Sequence, residues 1–595
     1  MNLKNIGLIS AALLTTTTSS SFAAKSRATE KPNVIFILLD DVSSFATSTY
    51  GAREVSTKNA KFNKGNISYL PISTPNLDRL AREGVVCNHA YAHALSEPTR
   101  IALMTGMHGG RNFLTPKALH ESQITFSDVF KREGYATAMY GKWKQTRGTS
   151  EIPGDDYIST FGWDDYACFD VVKAAQRYIN PDLVVNDEEV LYHGRTDLDP
   201  KTGRRWYGPD IFNDKALTFI EQHKDEPFFL YYPMVLIHSE HRPTPDSEDR
   251  ELFDTMPERQ TEFNDLRYLT DMVSYADKMT GRVIDKLEEL NLRENTLIVV
   301  MGDNGSTGVT FNMSDGTVHV GGKGRTNYAG EQVPLIFSRP GTIPASGGNS
   351  SKSYDPVVDL TDIYPTIIKA SGLEIPNESQ IDGVNLWDQL TGKSSKPHRE
   401  TLYKWYLGNR SQGDEELLAR YSHNRDYKYY APSKAFPEGR FFDLKLDPRE
   451  EGGVQGPNVS KMGAYYWYGG LDISKLNKEQ RAAYELLKAE TERYAYTKVE
   501  NIAITSSPKT MKKGETIRLN HKVTPATATR NGVVWESSDK SVATVNKFGE
   551  VTAHKAGEVT INLYSWDDAW PVATGKKGGY KQDGMKSSIT IAVQL

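Results

Sequence analysis

The segment Val34-Ile35-Phe36-Ile37-Leu38-Leu39-Asp40-Asp41 decides the fold. Six apolar residues in succession, without polar alternation, describe a strand covered on both faces, as in the parallel sheet of an α/β protein. The run stops abruptly at two aspartates. Leu297-Ile298-Val299-Val300-Met301 repeats the pattern and stops at Gly302-Asp303-Asn304-Gly305. A third candidate, Tyr135 to Tyr140, runs into Gly141-Lys142-Trp143-Lys144, and a fourth, Phe228 to Ile237, delivers His238. Ligands of open α/β sheets bind beyond the carboxyl ends of the strands, so parallel pairing of these four predicts one crevice lined by their endings.

Helical patterns separate the strands. Leu266, Leu269, Met272, Val273, Ala276, Met279, Val283, Ile284 and Leu287 recur at three- and four-residue steps and mark one buried face. Thr74-Pro75-Asn76-Leu77-Asp78-Arg79-Leu80 reads as a turn followed by a helix start. Ser96-Glu97-Pro98-Thr99-Arg100, running on to Thr105-Gly106, reads as another. Pro98 suits the first helical position, and the helix start favours an anion near Ser96. Serine is a weak nucleophile and needs a base, a metal or a covalent change to react. Alone, the pentad is only a capped helix.

Asp40, Asp41, Asp303 and Asn304 repel one another in a shared crevice unless a cation sits between them. Oxygen donors with no cysteine or histidine in the set point to a hard ion, and calcium suits a mixed Asp/Asn cage better than zinc. Either acidic ending alone also fits a capped turn. Two buried strands with the same ending favour a metal.

At 595 residues the chain holds a large core and at least one further domain. Its 71 basic and 76 acidic residues leave no global field for nucleic acid, so anion recognition must be local. Lys4, the apolar run Ile6 to Leu14 and the small residues through Ala23-Ala24 make residues 1–24 a secretory signal, predicting an exported protein, periplasmic or secreted. Cys87 and Cys168 permit one disulfide in that compartment, and two separate buried thiols fit equally.

The ordered set of Pro32-Asn33 to Asp41, Tyr50-Gly51, Thr74 to Leu80, Ser96 to Gly106, Gly141-Lys142-Trp143, His238, Gly302 to Gly305 and Gly321-Gly322-Lys323-Gly324 closely resembles the formylglycine-dependent sulfatases of the alkaline phosphatase superfamily. Asp362-Ile363-Tyr364-Pro365-Thr366, Asp382-Gly383, Phe442-Asp443-Leu444 and Asp447-Pro448 resemble the family's closing elements, so the likeness covers roughly residues 30–495. It implies an α/β, alkaline-phosphatase-like sandwich with a central, mostly parallel sheet (residues 25–400) and a small antiparallel α+β subdomain (401–496).

The same resemblance implies roles. Ser96 stands where the family carries the residue oxidised to formylglycine, here from serine by a radical-type maturating enzyme. The hydrated aldehyde attacks sulfur, and its second hydroxyl then expels sulfate. Asp40, Asp41, Asp303 and Asn304, with the modified Ser96, would hold calcium. Arg100 would orient the diol, Lys142 and Lys323 would grip sulfate oxygens, and His238 would protonate the departing alcohol. Many sulfatases read Lys-Trp-His where this chain has Lys142-Trp143-Lys144; the base for sulfate elimination is then Lys144, another residue such as His93 or His241, or none.

After residue 400 aromatic residues accumulate, including Trp405-Tyr406 and Tyr465-Tyr466-Trp467-Tyr468, which either stack on sugar rings or simply pack. From Lys498 onward short β-type runs separated by Gly, Pro, Ser and Lys turns predict an all-β sandwich over 497–595. Val523-Thr524-Pro525, Trp535-Glu536-Ser537-Ser538 and Gly549-Glu550-Val551-Thr552-Ala553 resemble bacterial immunoglobulin-like domains of the second type, serving as a spacer or as a contact to polysaccharide or cell envelope. The leading expectation is a calcium-dependent sulfatase acting on a sulfated carbohydrate. The alternatives are a phosphomonoesterase or phosphodiesterase of the same superfamily, and a catalytically silent surface binding protein.

Overall fold

The computed structural model describes residues 31–56, 69–112, 119–143, 145, 158–169, 176–258, 263–345, 352–376, 378–406, 418–433, 439–450, 469–569 and 584–595. The expected leader, Lys144 and the aromatic run 465–468 lie outside the described residues. Strand β1 (Asn33–Leu39) is buried along its whole length. It is followed by helices α1 (Pro75–Arg82), α2 (Ser96–Thr105) and α3 (Phe126–Arg132), then strands β2 (Ala136–Lys142) and β3 (Phe228–Pro233). Helix α4 (Leu269–Glu289) leads into strand β4 (Thr296–Gly302).

β1 lies at the centre of a ten-stranded sheet, flanked in parallel by β4 and β3, with β2 parallel beyond β3 and Asp165–Phe169 parallel beyond β2. Antiparallel pairing appears toward the edges, through Leu335–Ser338 beside β4 and Asp182–Val185 beside Asp165–Phe169. The uninterrupted apolar character of β1 follows from this position. Ile35, Ile37 and Leu39 enter a core shared with α4, whereas Val34, Phe36 and Leu38 enter a second core shared with α2 and α3. Both faces are therefore dry, and polar alternation has no place.

The fourth run ends as a strand earlier than its apolar content suggests. β3 stops at Pro233, which lacks the amide needed to continue a ladder. The chain still follows the sheet, with Met234 N donating to Leu38 O (2.8 Å) and Ile237 N to Asp40 O (2.7 Å), so His238 arrives at the expected edge. α2 begins at Ser96, two residues before Pro98. The first four amides of a helix have no intrahelical partner, so the proline costs nothing there.

Leu402–Tyr406, Ala419–His423, Tyr427–Tyr430 and Arg440–Asp443 form an antiparallel four-stranded sheet. Helix α5 (Lys478–Arg493), started by an Asn477/Gln480 capping box, packs on it through Tyr484 and Leu487. The C-terminal region is β-built, with a four-stranded, a three-stranded and a two-stranded sheet around Trp535, Val551, Ile561 and Ile591 and one short helical turn at Trp566–Ala569. Tyr406 is buried, and Trp405 lies against the backbone of Gly109 and Gly110, so both of these aromatics pack.

The C-terminal β region is seated firmly on the α/β region. Lys547 donates to Asp128 Oδ1 and Oδ2 (3.0 and 2.9 Å), to Gln123 O (3.2 Å) and to Thr160 O (2.8 Å), with its ammonium 5.0 Å from the Phe161 ring centre. Arg132 pairs with Glu550 at 2.8 Å and lies over the Phe548 ring, and Trp566 Nε1 donates to Ser122 Oγ (3.0 Å). Cys87 and Cys168 are buried free thiols, so of the two arrangements the sequence allows, the disulfide does not form. Among the described residues no helix is long and apolar enough to cross a membrane.

Candidate active site

The carboxyl ends of β4, β1, β3 and β2 lie along one edge of the sheet because these strands follow one another in that order and run parallel. Leu39 pairs with Gly302, so Asp40 and Asp303 leave neighbouring strands side by side. Asp303 N donates to Leu39 O (2.9 Å) and Asp40 N to Leu236 O (2.9 Å), which holds both residues at the sheet edge. Asp41 then turns away with φ of 62°, a left-handed conformation rare outside glycine. That turn points its backbone amide at Asp303 Oδ1 (3.0 Å). On β2, Gly141 has φ of +133°, and a Cβ there would stand 1.9 Å from Pro233 O. Glycine is required for β2 to pass β3 so closely and swing Lys142 into the crevice.

Ser96 Oγ lies at the meeting point of these elements. It donates to Asn304 Oδ1 (2.9 Å), stands 3.3 Å from Asp40 Oδ1, and accepts from Lys142 Nζ (3.2 Å). Lys142 Nζ also donates to both oxygens of Asp40 (2.8 and 2.7 Å). Asn304 Nδ2 donates to Asp41 Oδ1 (2.8 Å), and Lys323 Nζ to Asp41 Oδ2 (2.6 Å). Arg100 is fully buried and sends Nε and Nη2 to Asp303 Oδ2 (3.2 and 2.8 Å) and Nη1 to Lys142 O (3.1 Å). Asp40, Asp41, Asp303, Asn304, Ser96, Arg100, Lys142 and Lys323 thus form one continuous network, with His238 Nε2 4.0 Å from Asp41 Oδ2.

Three carboxylates face three cations, and burial makes each depend on the others. Burial raises Asp40, but Lys142, His238, Arg100 and Lys323 overcome it and hold the group well below the ordinary carboxylate range. Asp41 behaves alike: burial pushes it up, Lys323 and His238 pull it down further, and it settles at about 2. Asp303 goes the other way, raised to about 6 by burial and by the charge of Asp40, against Arg100. Burial lowers Lys323, but Asp41 and Asp40 more than compensate and raise it. Burial likewise lowers His238, to about 3, against Asp41 and Asp40. Its Nδ1 meets Ser239 O at 2.5 Å, which turns Nε2 toward the carboxylates.

Donor atoms of Asp40, Asp41 and His238 all lie within 4.8 Å of one another, a grouping suited to a metal ion. The histidine is an addition to the all-oxygen set read from the sequence. Buried carboxylates and an amide oxygen are the donors a hard divalent cation takes, so the residues fit calcium. Of the candidate bases, His241 is buried beside Asn264 and feels Asp41, whereas the charged neighbours of His93 are Lys404 and Asp359.

Two supports had no signal in the sequence. Tyr178 OH donates to Val235 O (3.0 Å) and His238 O (2.6 Å), bracing the segment that presents His238. Ser43 and Ser306 hydrogen-bond side chain to side chain (3.2 Å), joining the segment after Asp41 to the one after Asn304. Single tyrosines and serines carry no periodicity or spacing that marks such roles.

Comparison with known proteins gives a match to the Sulfatase family model over residues 32–373 and to the group 2 bacterial Ig-like domain over 498–569. The chain is 28% identical to mouse (Mus musculus) arylsulfatase G over 435 residues, covering 66% of this chain and 75% of that protein. It is 25% identical to an N-acetylglucosamine-6-O-sulfatase of Bacteroides thetaiotaomicron over 521 residues, covering 72% of this chain and 83% of that protein. A solved structure of a protein bound to its substrate, D-glucosamine-2-N,6-O-disulfate, superposes with a TM-score of 0.54 at 22% identity, covering 78% of this chain and 98% of that one. This last likeness concerns the fold alone.

Proposed function

The chain belongs to the sulfatase family and is a sulfuric ester hydrolase, and from that premise we propose that it cleaves sulfate esters of a sulfated carbohydrate through a formylglycine made from Ser96, beside a calcium ion. The observation that carries the mechanistic reading is the position of Ser96 Oγ between Asn304, Asp40 and Lys142, at the start of α2. The sugar part of the reading is supported by the aminosugar sulfatase among the relatives.

Asp40, Asp41, Asp303 and Asn304, with the modified Ser96, would hold the cation. When bound, a divalent ion lowers the pKa of a nucleophilic oxygen and offsets charge on a sulfate in the transition state. Charge balance supports the fit: the three carboxylates are already matched by Arg100, Lys142 and Lys323. A divalent cation, a monoanionic sulfate ester and an ionised nucleophile then enter with no net change.

The chain's own residues divide the remaining work. Arg100 fixes Asp303 and the Lys142 carbonyl, and so sets the floor under the nucleophile. Lys142 and Lys323 act as point charges that exchange part of their contact with Asp40 and Asp41 for sulfate oxygens. His238 serves the departing alcohol oxygen through Nε2: with Nδ1 donating to the Ser239 carbonyl and burial holding the ring neutral, it takes up a proton at Nε2 before handing it to that oxygen. A radical-type maturating enzyme supplies the oxidation of Ser96, and an N-terminal signal takes the protein out of the cytoplasm. Any envelope or polysaccharide contact of the Ig-like region uses faces turned away from Asp128 and Phe161.

The test has two arms. Mass spectrometry of the Ser96 peptide, from cells with and without such a maturase, is expected to show loss of two hydrogens only with it. Matured protein is expected to hydrolyse aryl sulfate faster than aryl phosphate. Faster phosphate cleavage supports the phosphoesterase alternative, and serine mass in both samples supports the silent binding protein; either overturns the proposal.

A further inference from the structure

The segment 321–331, which carries Lys323, is tied by backbone hydrogen bonds to both halves of the candidate site. Gly324 N donates to Ala94 O (2.9 Å) and Ala92 N to Glu331 O (2.8 Å), on the stretch leading to Ser96. Lys323 N donates to Ser306 O (3.0 Å) and Gly305 N to Gly330 O (2.8 Å), just after Asn304. A shift of this segment is therefore felt by the nucleophile and by the carboxylates.

The antiparallel subdomain grips the same segment from the far side. Lys428 Nζ donates to Thr326 O, and Tyr430 OH donates to it at 3.2 Å. Both donors are anchored by Glu450, with Lys428 at 3.2 Å and Tyr430 at 2.8 Å. Glu331, on the gripped segment, accepts from Tyr421 OH and lies 3.6 Å from Lys428 Nζ. The side chains of Lys428, Glu450 and Glu331 are 3%, 1% and 1% exposed. An amphipathic lysine is rarely drawn in so completely, and charge-assisted bonds in such a dry setting are stiff.

We propose that Lys428, with Tyr430 and Glu450, is a clasp that positions Lys323: by fixing the Thr326 carbonyl it sets where the Lys323 ammonium stands against Asp41 and against the sulfate of the substrate. The clasp rests on the reading of Lys323 as a sulfate-gripping residue. It gives the C-terminal subdomain a role in catalysis without contact to substrate.

A double-mutant cycle on matured protein tests it, using aryl sulfate hydrolysis. Lys428→Met is expected to lower kcat/KM about 30-fold, since displacement of a catalytic charge by about 1 Å costs up to about a hundredfold. Tyr430→Phe, which removes one donor and keeps the charge pair, is expected to cost about threefold. In a Lys323→Met background both losses are expected to vanish to within about twofold, because their route to the substrate is gone. Losses that persist in full in that background overturn the proposal, since a merely structural role adds to that of Lys323. Hydrogen exchange supplies a readout independent of activity: peptides within 321–331 are expected to exchange faster in Lys428→Met while β1 and β4 stay protected. Unchanged exchange in 321–331 of the folded variant overturns the clasp. Matured wild-type protein that cleaves no sulfate ester overturns the reading of Lys323, and the exchange comparison then decides the clasp alone.

Discussion

Replacing Lys547 by methionine tests whether the Ig-like region is fastened to the α/β region in solution. The Lys547 ammonium has four oxygen contacts between 2.8 and 3.2 Å, and its side chain is 11% exposed against 6% for Asp128. Removing one member of a buried pair costs about 3–5 kcal/mol, chiefly because the other charge is left unpaired. Asp128 keeps two bonds from Thr125, through its backbone amide and its hydroxyl, both at 2.8 Å, so the expected loss is at the lower end, about 3 kcal/mol. Methionine keeps a long apolar side chain but loses the charge, its hydrogen bonds and its position 5.0 Å from the Phe161 ring centre. The assay is equilibrium urea unfolding followed by tryptophan fluorescence, in which Trp566, bonded to Ser122 across the same interface, reports the release. Adding Asp128→Asn removes the stranded charge and is expected to recover about 1–2 kcal/mol of the loss. A loss under about 0.5 kcal/mol for Lys547→Met, in the range of exposed ion pairs, refutes the reasoning and leaves the region undocked.

Glu331 is raised by burial, against the pull of Lys428, from 4.5 to about 7. The folded state then binds more proton than the unfolded state between those values, so stability falls as pH rises through that window, by up to about 3 kcal/mol. Urea titrations at pH 5 and 7.5 are expected to show a shallower decline for Glu331→Gln than for wild type, and parallel declines contradict it. Dialysis against a chelator is expected to lower the melting temperature, and calcium at a hundred times its dissociation constant to restore about 2.7 kcal/mol. The variant Asp303→Asn is expected to lose most of that restoration, and a full calcium effect in it removes Asp303 from the cation site. Gly141→Ala forces a Cβ into the Pro233 carbonyl and is expected to cost about 3 kcal/mol or more, with loss of turnover as Lys142 is displaced. Wild-type stability and rate in that variant argue against the close passage of β2 and β3.

Much of the site was legible because its residues end apolar strands or start a helix. Asp40 and Asp303 follow runs that read as central strands, and the parallel pairing expected of those strands, found between β1 and β4, brings the two together. Ser96 was marked by the pentad that opens α2 only in the company of the other motifs, since alone the pentad reads as a capped helix. The partners of these residues were less visible. That Arg100 braces Asp303, that Lys142 bridges Asp40 and Ser96, and that Tyr178 holds the His238 carbonyl all depend on side chains that meet across separations of 42 to 203 residues. The premature end of β3 was in principle readable from Pro233, but the apolar residues continuing past it masked the break.

Sequence by itself determined the classes of structure and their order: an α/β sheet and an all-β end were written in a local hydrophobic period and in turn chemistry that need no distant partner, whereas the antiparallel subdomain between them was implied only by the family resemblance. Tertiary structure alone decided the electrostatics. Which carboxylate is depressed and which raised, why a lysine of the Ig-like region meets Asp128 in the first turn of α3, and why Lys428 lies buried between two glutamates follow from distances that close only on folding. Charge interactions strengthen steeply as water is excluded, and exclusion is a property of the packed chain that no local stretch of residues encodes.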